Sequence, residues 1–170
     1  MTIDRFIGEY DFLSNFYFSP IIVKMEYSPK CYTKMAFSTL EHAFQAKKMI
    51  DFRHVELIQS QPTPQDAKNM ARRMPRVPDW DEIRIPEMTK LVDIKFPLYH
   101  DIYTTIQFMP QLTKQLLDTE DEELIEGNYW NDTFWGMCNG HGKNNLGKIL
   151  MARRTKLAQI MAKHREREDV

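Results

Sequence analysis

Residues 6 to 37 are rich in aromatic and β-branched types, broken at Asp11, Ser14-Asn15, Ser19-Pro20 and Ser28-Pro29, a pattern of short strands and loops in which Ile21 to Glu26 is the best strand. The pattern then changes period. Ser38-Thr39-Leu40-Glu41 has the S-x-x-E form of a helix capping box, and no Gly or Pro interrupts the run to Ile50, so a helix is predicted from Thr39 to about Met49. Pro64 to Met74 reads as a short helix that begins with proline in its favoured first turn and stops at Pro75. Beyond a proline-punctuated loop, a helix from about Asp81 to Lys95 places Ile83, Met88, Leu91, Val92 and Ile94 at loosely helical spacing. Further helical stretches are expected over about 98 to 109 and 111 to 117, on either side of Pro110. The last helix, about Leu146 to His164, turns Leu146, Ile149, Leu150, Leu157, Ile160 and Met161 inward. No repeat or linker divides the chain, so one domain is expected over 1–170, with a core at about 8–160 and a basic helix end at 161–170. The expected fold class is α+β, a predominantly helical single domain with a small N-terminal β-sheet.

Composition narrows the classes. With 170 residues, 42% of them hydrophobic, and a net charge of −1, the chain can bury a core and lacks the signature of disorder. No apolar run approaches the ~18 residues of a membrane span, and the opening MTIDRFIGEYDF is acidic where a signal peptide is basic and then apolar. A soluble cytoplasmic protein with no membrane association is the expectation. Cys31 and Cys138 are too few for a disulfide scaffold or a four-cysteine metal site, and no His/Cys pair has finger spacing, so structural zinc is not expected; no other metal and no cofactor is expected either. Charge is uneven along the chain: six acids lie between Asp118 and Glu126, whereas Lys143 to Arg167 holds eight bases and one acid. A basic stretch of this kind is either the solvated face of a last helix or an attractor of phosphates.

Two places carry candidate chemistry. Glu41, Gln45 and Lys48 stand at i, i+4 and i+7, so a helix at ~100° per residue sets an acid, an amide and an amine on one face. Glu41 could instead complete the capping box with Ser38 while Lys48 lies in solvent. A first-turn carboxylate is stabilised as an anion by the helix dipole, which suits a base or an electrostatic partner of positive charge better than an acid. The second place is a window from Gly127 to Gly147 that holds five of the six glycines. Within it, Tyr129, Trp130 and Trp135 could stack on a planar base, and Gly140, Gly142 and Lys143, with the last helix's N-terminus, could cradle an anion. The glycines fit neither a Walker A loop nor G-x-G-x-x-G, and turn chemistry alone explains Gly140-x-Gly142 equally well. Asp132 serves either acid/base or sugar contacts, or bonds its own backbone in a turn. His141 reads as a loop residue ahead of a metal ligand, and Cys138 as packing.

Four segments together resemble the signature blocks of the NADAR (YbiA-like) family. They are Phe12-Leu13-Ser14-Asn15-Phe16, the run Ser38 to Lys48 with its EH-x-FQ-x-x-K pattern, Asp132-Thr133-Phe134-Trp135-Gly136, and Gly142 to Met151. Asp79-Trp80 and Lys95-Phe96 look like the family's central Trp and Lys-Phe positions. The resemblance implies a small, predominantly helical α+β fold and an N-glycosidase. Members cleave the ribose–amine bond of a pyrimidine intermediate of riboflavin synthesis, and others remove ADP-ribose from guanine bases of nucleic acid. By position, Glu41 matches the family's acid, Lys48 its lysine, and Asn15, Trp135, Lys143 and Asn144 its pocket residues. Phe16, Gln45 and Gly136 lie in the same blocks. Trp130 and Cys138, and the length between Pro97 and Gly127, depart from some relatives in the region that sets base specificity.

Cleaving a ribosyl C–N bond builds oxocarbenium-like charge that an ionised Glu41 would stabilise while orienting water. In that scheme Lys48 protonates the leaving amine or attacks an opened sugar aldehyde; Trp135, with Trp80 or Trp130, sandwiches the base. Lys143, Asn144 and Arg154 hold phosphate. The substrate is then a nucleotide-like small molecule or ADP-ribosylated DNA or RNA. The competing readings are a non-catalytic module that binds ADP-ribose or NAD, and a nucleic-acid-binding module built on the basic last helix. The sequence assigns no oligomeric state.

Overall fold

The structure is a computed structural model that describes residues 2–28, 30–98 and 109–168. Its largest sheet is a hairpin of β2 (Phe18–Ser28) and β3 (Cys31–Thr39), paired antiparallel with Ile21 opposite Phe37 and Val23 opposite Met35. Ile21, Val23, Met25, Met35 and Phe37 are buried on one face while Lys24, Glu26 and Lys34 are exposed on the other, the alternation that a half-buried hairpin requires. The expected strand Ile21 to Glu26 therefore lies inside a longer one.

Strand β3 runs directly into α1 (Leu40–Ala46). Here the cap differs from the expected box. Thr39, extended at φ −140°, is the N-cap and its Oγ1 accepts from the His42 N–H, so Ser38 and Glu41 form no reciprocal pair. His42 lies between the Thr39 hydroxyl, 2.8 Å from Nδ1, and the Gln61 carbonyl, 3.1 Å from Nε2. The helix also ends earlier than expected, at Ala46; Lys47 is the C-cap, and the Lys48 N–H bonds the Gln45 carbonyl in the turn beyond. All seven residues of α1 are buried, because it packs against the hairpin and three neighbouring helices.

Those neighbours are α2 (Phe52–Gln59), α3 (Pro64–Ala71) and α4 (Trp80–Lys95). The short α2 is absent from the expectation; Asp51 caps it and only Val55 and Ile58 are fully buried, too few apolar positions to reveal a period. Thr63 caps α3 at the expected proline start, and α4 buries Trp80, Met88, Leu91, Val92 and Lys95. Helix α5 (Met109–Asp118) contains the expected 111 to 117 stretch; most of the 98 to 109 stretch lies outside the described residues. Helix α6 (Asn145–Glu168) is the expected last helix, extended at its C-terminal end.

Two short parallel ladders complete the α+β fold. They are β1 (Thr2–Ile3) with β4 (Glu123–Leu124), and β5 (Gly127–Asn128) with β6 (Met137–Cys138). The first ties the N-terminus to the segment before the glycine-rich loop, so strand pairing is not confined to the N-terminal region. Helix α6 packs on β4, α4 and α5 and closes the core beneath that segment.

Candidate active site

The site is built around α1. Buried Glu41 accepts a 2.6 Å hydrogen bond at Oε1 from the Gln45 Nε2, one helical turn on, and its backbone N–H is held at 3.0 Å by the Asn15 carbonyl. A carboxylate accepts but does not donate, which fixes the Gln45 amide and leaves its Oε1 enclosed and without a partner. Asn15 Oδ1 is likewise enclosed and unpartnered, its Nδ2 lying 3.7 Å from Met88 Sδ.

Lys48 stands in the turn after α1, half-buried, with Nζ 5.3 Å from the Phe44 ring and 5.6 Å from Trp80. Burial pulls its amine down to about 8, opposed by the Glu41 carboxylate and assisted by Lys68, Arg76 and Arg72. An amine in that range is partly neutral near neutral pH and so available as a nucleophile. Glu41 and Gln45 meet through a hydrogen bond, and Lys48, placed beyond the helix end, feels the Glu41 charge without bonding either.

The aromatic wall consists of Phe44 between Trp80, at 5.0 Å, and Trp135, edge-on at 5.3 Å, with Phe134 edge-on to Trp135 at 5.0 Å. Trp80 is 2% exposed, so it backs the wall from the core and offers no face to a base. Trp130 is 64% exposed and packs on Tyr129, and neither ring contacts this wall. Trp135 and Phe134 are the half-buried members, and Phe16, with Lys68 Nζ 5.7 Å from its ring, is an exposed aromatic on the Asn15 segment.

The glycine-rich segment differs from an anion cradle. The N–H groups of Lys143 and Asn144, just before α6, and of Asn145 and Leu146, its first two residues, donate to the carbonyls of Thr133, Gly136, Phe134 and Trp135. The helix end is thereby satisfied from within. A Cβ on Gly136 would lie 2.1 Å from the Glu126 carbonyl, and one on Gly142 would lie 2.2 Å from that of Gly136. These glycines permit backbone stacking; Gly140, at φ +78°, turns the chain between the paired backbones of Cys138 and His141.

Polar side chains of the segment are largely engaged in its own fold. Asp132 Oδ1 accepts from the N–H groups of Phe134 and Trp135, at 3.2 and 2.8 Å. Buried Asn144 accepts from the Glu126 N–H and donates to the Leu124 carbonyl. Lys143 is exposed, 5.6 Å from the Phe134 ring, whose centroid lies 3.5 Å from the Arg84 guanidinium carbon. Arg154 points elsewhere: buried against the loop after α5, it donates to the Thr119 hydroxyl and carbonyl and to the Glu122 carbonyl. Arg153 is similarly held by the Phe96 carbonyl and Asp93, so the basic stretch of α6 is in part internal. The cations that act on Lys48 come instead from α3 and the loop after it.

Two further groups stand out, to neither of which the sequence assigns a site role. Glu126, the last acid of the run from Asp118, has its Oε2 enclosed and without a partner, and burial pushes its carboxyl up to about 7. Asp132 and Glu41 push in the same direction, and Lys95 and Lys68 oppose them. Fully buried Lys95 donates to the Ser14 carbonyl at 2.7 Å, and burial draws it down to about 7. In sequence Glu126 looks like one more solvated acid; the signal that separates it is the Gly127 that follows it and the two-residue step from buried Leu124. Among the described residues no group of His, Cys, Asp or Glu could hold a metal, and no helix is long and apolar enough to cross a membrane. Two surface depressions lie away from this cluster, one between β3 and α2, the other between α4 and α6.

The family model described as "NADAR domain" matches residues 5–158. The chain is 33% identical to an N-glycosidase of Nostoc punctiforme, over 74% of this chain and 78% of that protein. It is 34% identical to N-glycosidase YbiA of Shigella boydii, over 71% of this chain and 70% of that one. A riboflavin biosynthesis protein of Vibrio vulnificus is 35% identical over 87% of this chain, which spans 36% of that longer protein. The NMR structure of YbiA from E. coli superposes with a TM-score of 0.75 at 30% identity, covering 96% of this chain and 90% of that one.

Proposed function

The chain belongs to the NADAR family, and from that premise we propose that it is an N-glycosidase that hydrolyses a ribosyl C–N bond in a nucleotide-like substrate. The observation that supports this reading most is the buried Glu41–Gln45 pair, with the depressed amine of Lys48 against the Phe44 wall. As the C–N bond lengthens, positive charge develops on the anomeric carbon and ring oxygen, and Glu41 stabilises it and orients water. Gln45 holds the carboxylate in one rotamer, so its charge needs no reorganisation during the reaction. Two roles fit Lys48. As an ammonium it protonates the leaving nitrogen. As a neutral amine it displaces that nitrogen from C1 of the ring-opened sugar, forming a lysine imine that water hydrolyses to the aldehyde and free Lys48. Trp135 and Phe16 supply the aromatic contacts to the base, and Lys68 and Arg72 the charge for a phosphate, with Lys143 at the rim.

The likeness to a riboflavin biosynthesis protein favours a phosphoribosylated pyrimidine over ADP-ribosylated guanine in DNA or RNA. Mass spectrometry of products from the two substrates, side by side, tests this. Release of ribose 5-phosphate from the pyrimidine is expected; release of ADP-ribose alone would move the substrate to nucleic acid. Ligand binding with no product from either substrate would make the protein a non-catalytic reader of ADP-ribose or NAD. Borohydride added during turnover would trap Lys48 on the sugar by the imine route and would trap nothing if Lys48 is only a proton donor.

A further inference from the structure

We propose that Glu126 is the catalytic proton donor to the leaving nitrogen, a third functional group of the site beside Glu41 and Lys48; this rests on the N-glycosidase reading above. Three observations place it there. Its carbonyl lies against Gly136, the residue after Trp135, whose ring meets Phe44 of α1 edge-on at 5.3 Å, and the charges of Glu41 and Lys68 reach both Lys48 and Glu126. The residue is pinned by its backbone: its N–H is held by Asn144 Oδ1, its carbonyl accepts from the Met137 N–H, and Gly136 lies too close to admit a side chain. Its carboxyl is not pinned, since Oε2 is enclosed with no partner. A buried polar atom without a partner is costly, and a substrate N–H or a leaving nitrogen is the chemistry that relieves it.

The surroundings assign the two carboxyls different tasks. Burial and the neighbouring Asp132 push the Glu126 carboxyl up to about 7, so a sizeable fraction of molecules still carries its proton at neutral pH, whereas Glu41 accepts the Gln45 N–H at 2.6 Å. As the C1–N bond breaks, its electron pair goes to nitrogen and the proton of Glu126 follows. Water then adds to C1 and gives up one proton, which restores Glu126. Asp132 becomes a positioning residue in this scheme: its Oδ1 shapes the turn leading to Trp135, and its charge keeps the Glu126 proton in place.

The test compares two ribosides of one sugar phosphate, one carrying an amine-linked base and one carrying 4-nitrophenolate, which departs without a proton. For Glu126→Gln, kcat is expected to fall on the order of 10²–10⁴-fold on the amine-linked substrate and less than about fivefold on the nitrophenyl one. Equal losses on both would reduce Glu126 to a structural role and overturn the proposal. Should that variant not fold, Asp132→Asn preserves the turn oxygen and removes one charge. Among the groups that face Glu126 (Asp132, Glu41, Lys95 and Lys68), only Asp132 is altered, so the basic limb of kcat/KM should move to lower pH. A limb that stays in place would overturn the proposal. Wild-type protein that cleaves neither riboside would instead remove the N-glycosidase reading, and the role of Glu126 with it.

Discussion

Helix α1 and the segment from Glu126 to Gly147 both carry polar groups, meet where Phe44 packs on Trp135, and are opposite in what they do with those groups. On α1, Glu41 and Gln45 bond one another and still leave the Gln45 Oε1 without a partner at the centre of the molecule. In the glycine-rich segment, Asp132, Asn128 and Asn144 bond nearby backbone, and four loop carbonyls take up the N–H groups at and just before the α6 N-terminus. Polar residues in a loop are therefore poor evidence of a ligand site until their hydrogen bonds have been followed to their ends. Glu126 is the member of the second region that behaves like the first.

This contrast can be broken most forcefully at Glu41. Glu41→Gln keeps size and the contact with Gln45 and removes the charge, so turnover should fall on the order of 10²–10³-fold while the thermal midpoint changes little. Product formation and a melting curve on the same sample check it; an unaltered rate would reduce α1 to scaffold. In the other region the reverse is expected. Gly136→Ala forces a methyl group against the Glu126 carbonyl, 2.1 Å from the ideal Cβ position, and should destabilise the fold by about 2–3 kcal/mol in urea unfolding. Its activity should drop as well, because the strain displaces Glu126.

A smaller effect separates the buried amines. With Lys48 drawn from 10.5 to about 8, the unfolded chain holds its proton between those values and the folded chain does not, so raising pH through that window favours the fold. Below pH 8 both states are protonated and this gain is absent. Lys95 adds the same sign from about 7 upwards. Lys48→Met should therefore flatten the rise in unfolding free energy between pH 8 and 10.5 by on the order of 1–2 kcal/mol, after allowance for solvent screening, and leave the Lys95 part intact. Urea titrations at pH 7, 8.5 and 10 measure it, and equal slopes in both proteins would place Lys48 in solvent.

The legible parts of this molecule are those in which one local period carries the signal. The β2 strand, α3, α4 and α6 follow from alternation, proline placement and helical spacing, and the Glu41–Gln45 face follows from the four-residue step of α1. Where two explanations share one residue pattern, sequence could not choose. Asp132 takes the turn explanation, and the glycines take close approach over flexibility, since what decides them is a carbonyl brought from elsewhere in the chain. Trp80 and Arg154 show the same thing for burial: a tryptophan next to the site belongs to its core side, and an arginine on the last helix is held by Thr119. Glu126 was hidden because it closes a run of acids that is in large part exposed, whereas the charges that act on it, Asp132, Lys95, Lys68 and Glu41, come from four other parts of the chain.

His42 follows Glu41 directly in the chain and would pass for its partner in acid–base work. A carbonyl oxygen can only accept, so the hydrogen of the imidazole sits on Nε2, toward Gln61, and Nδ1 is left to receive the Thr39 hydroxyl. Both nitrogens are thus taken by the scaffold, and the ring serves as a rivet between the strand-to-helix corner and the loop after α2. Those two contacts commit the imidazole to the scaffold and hold the end of α1 that presents Glu41.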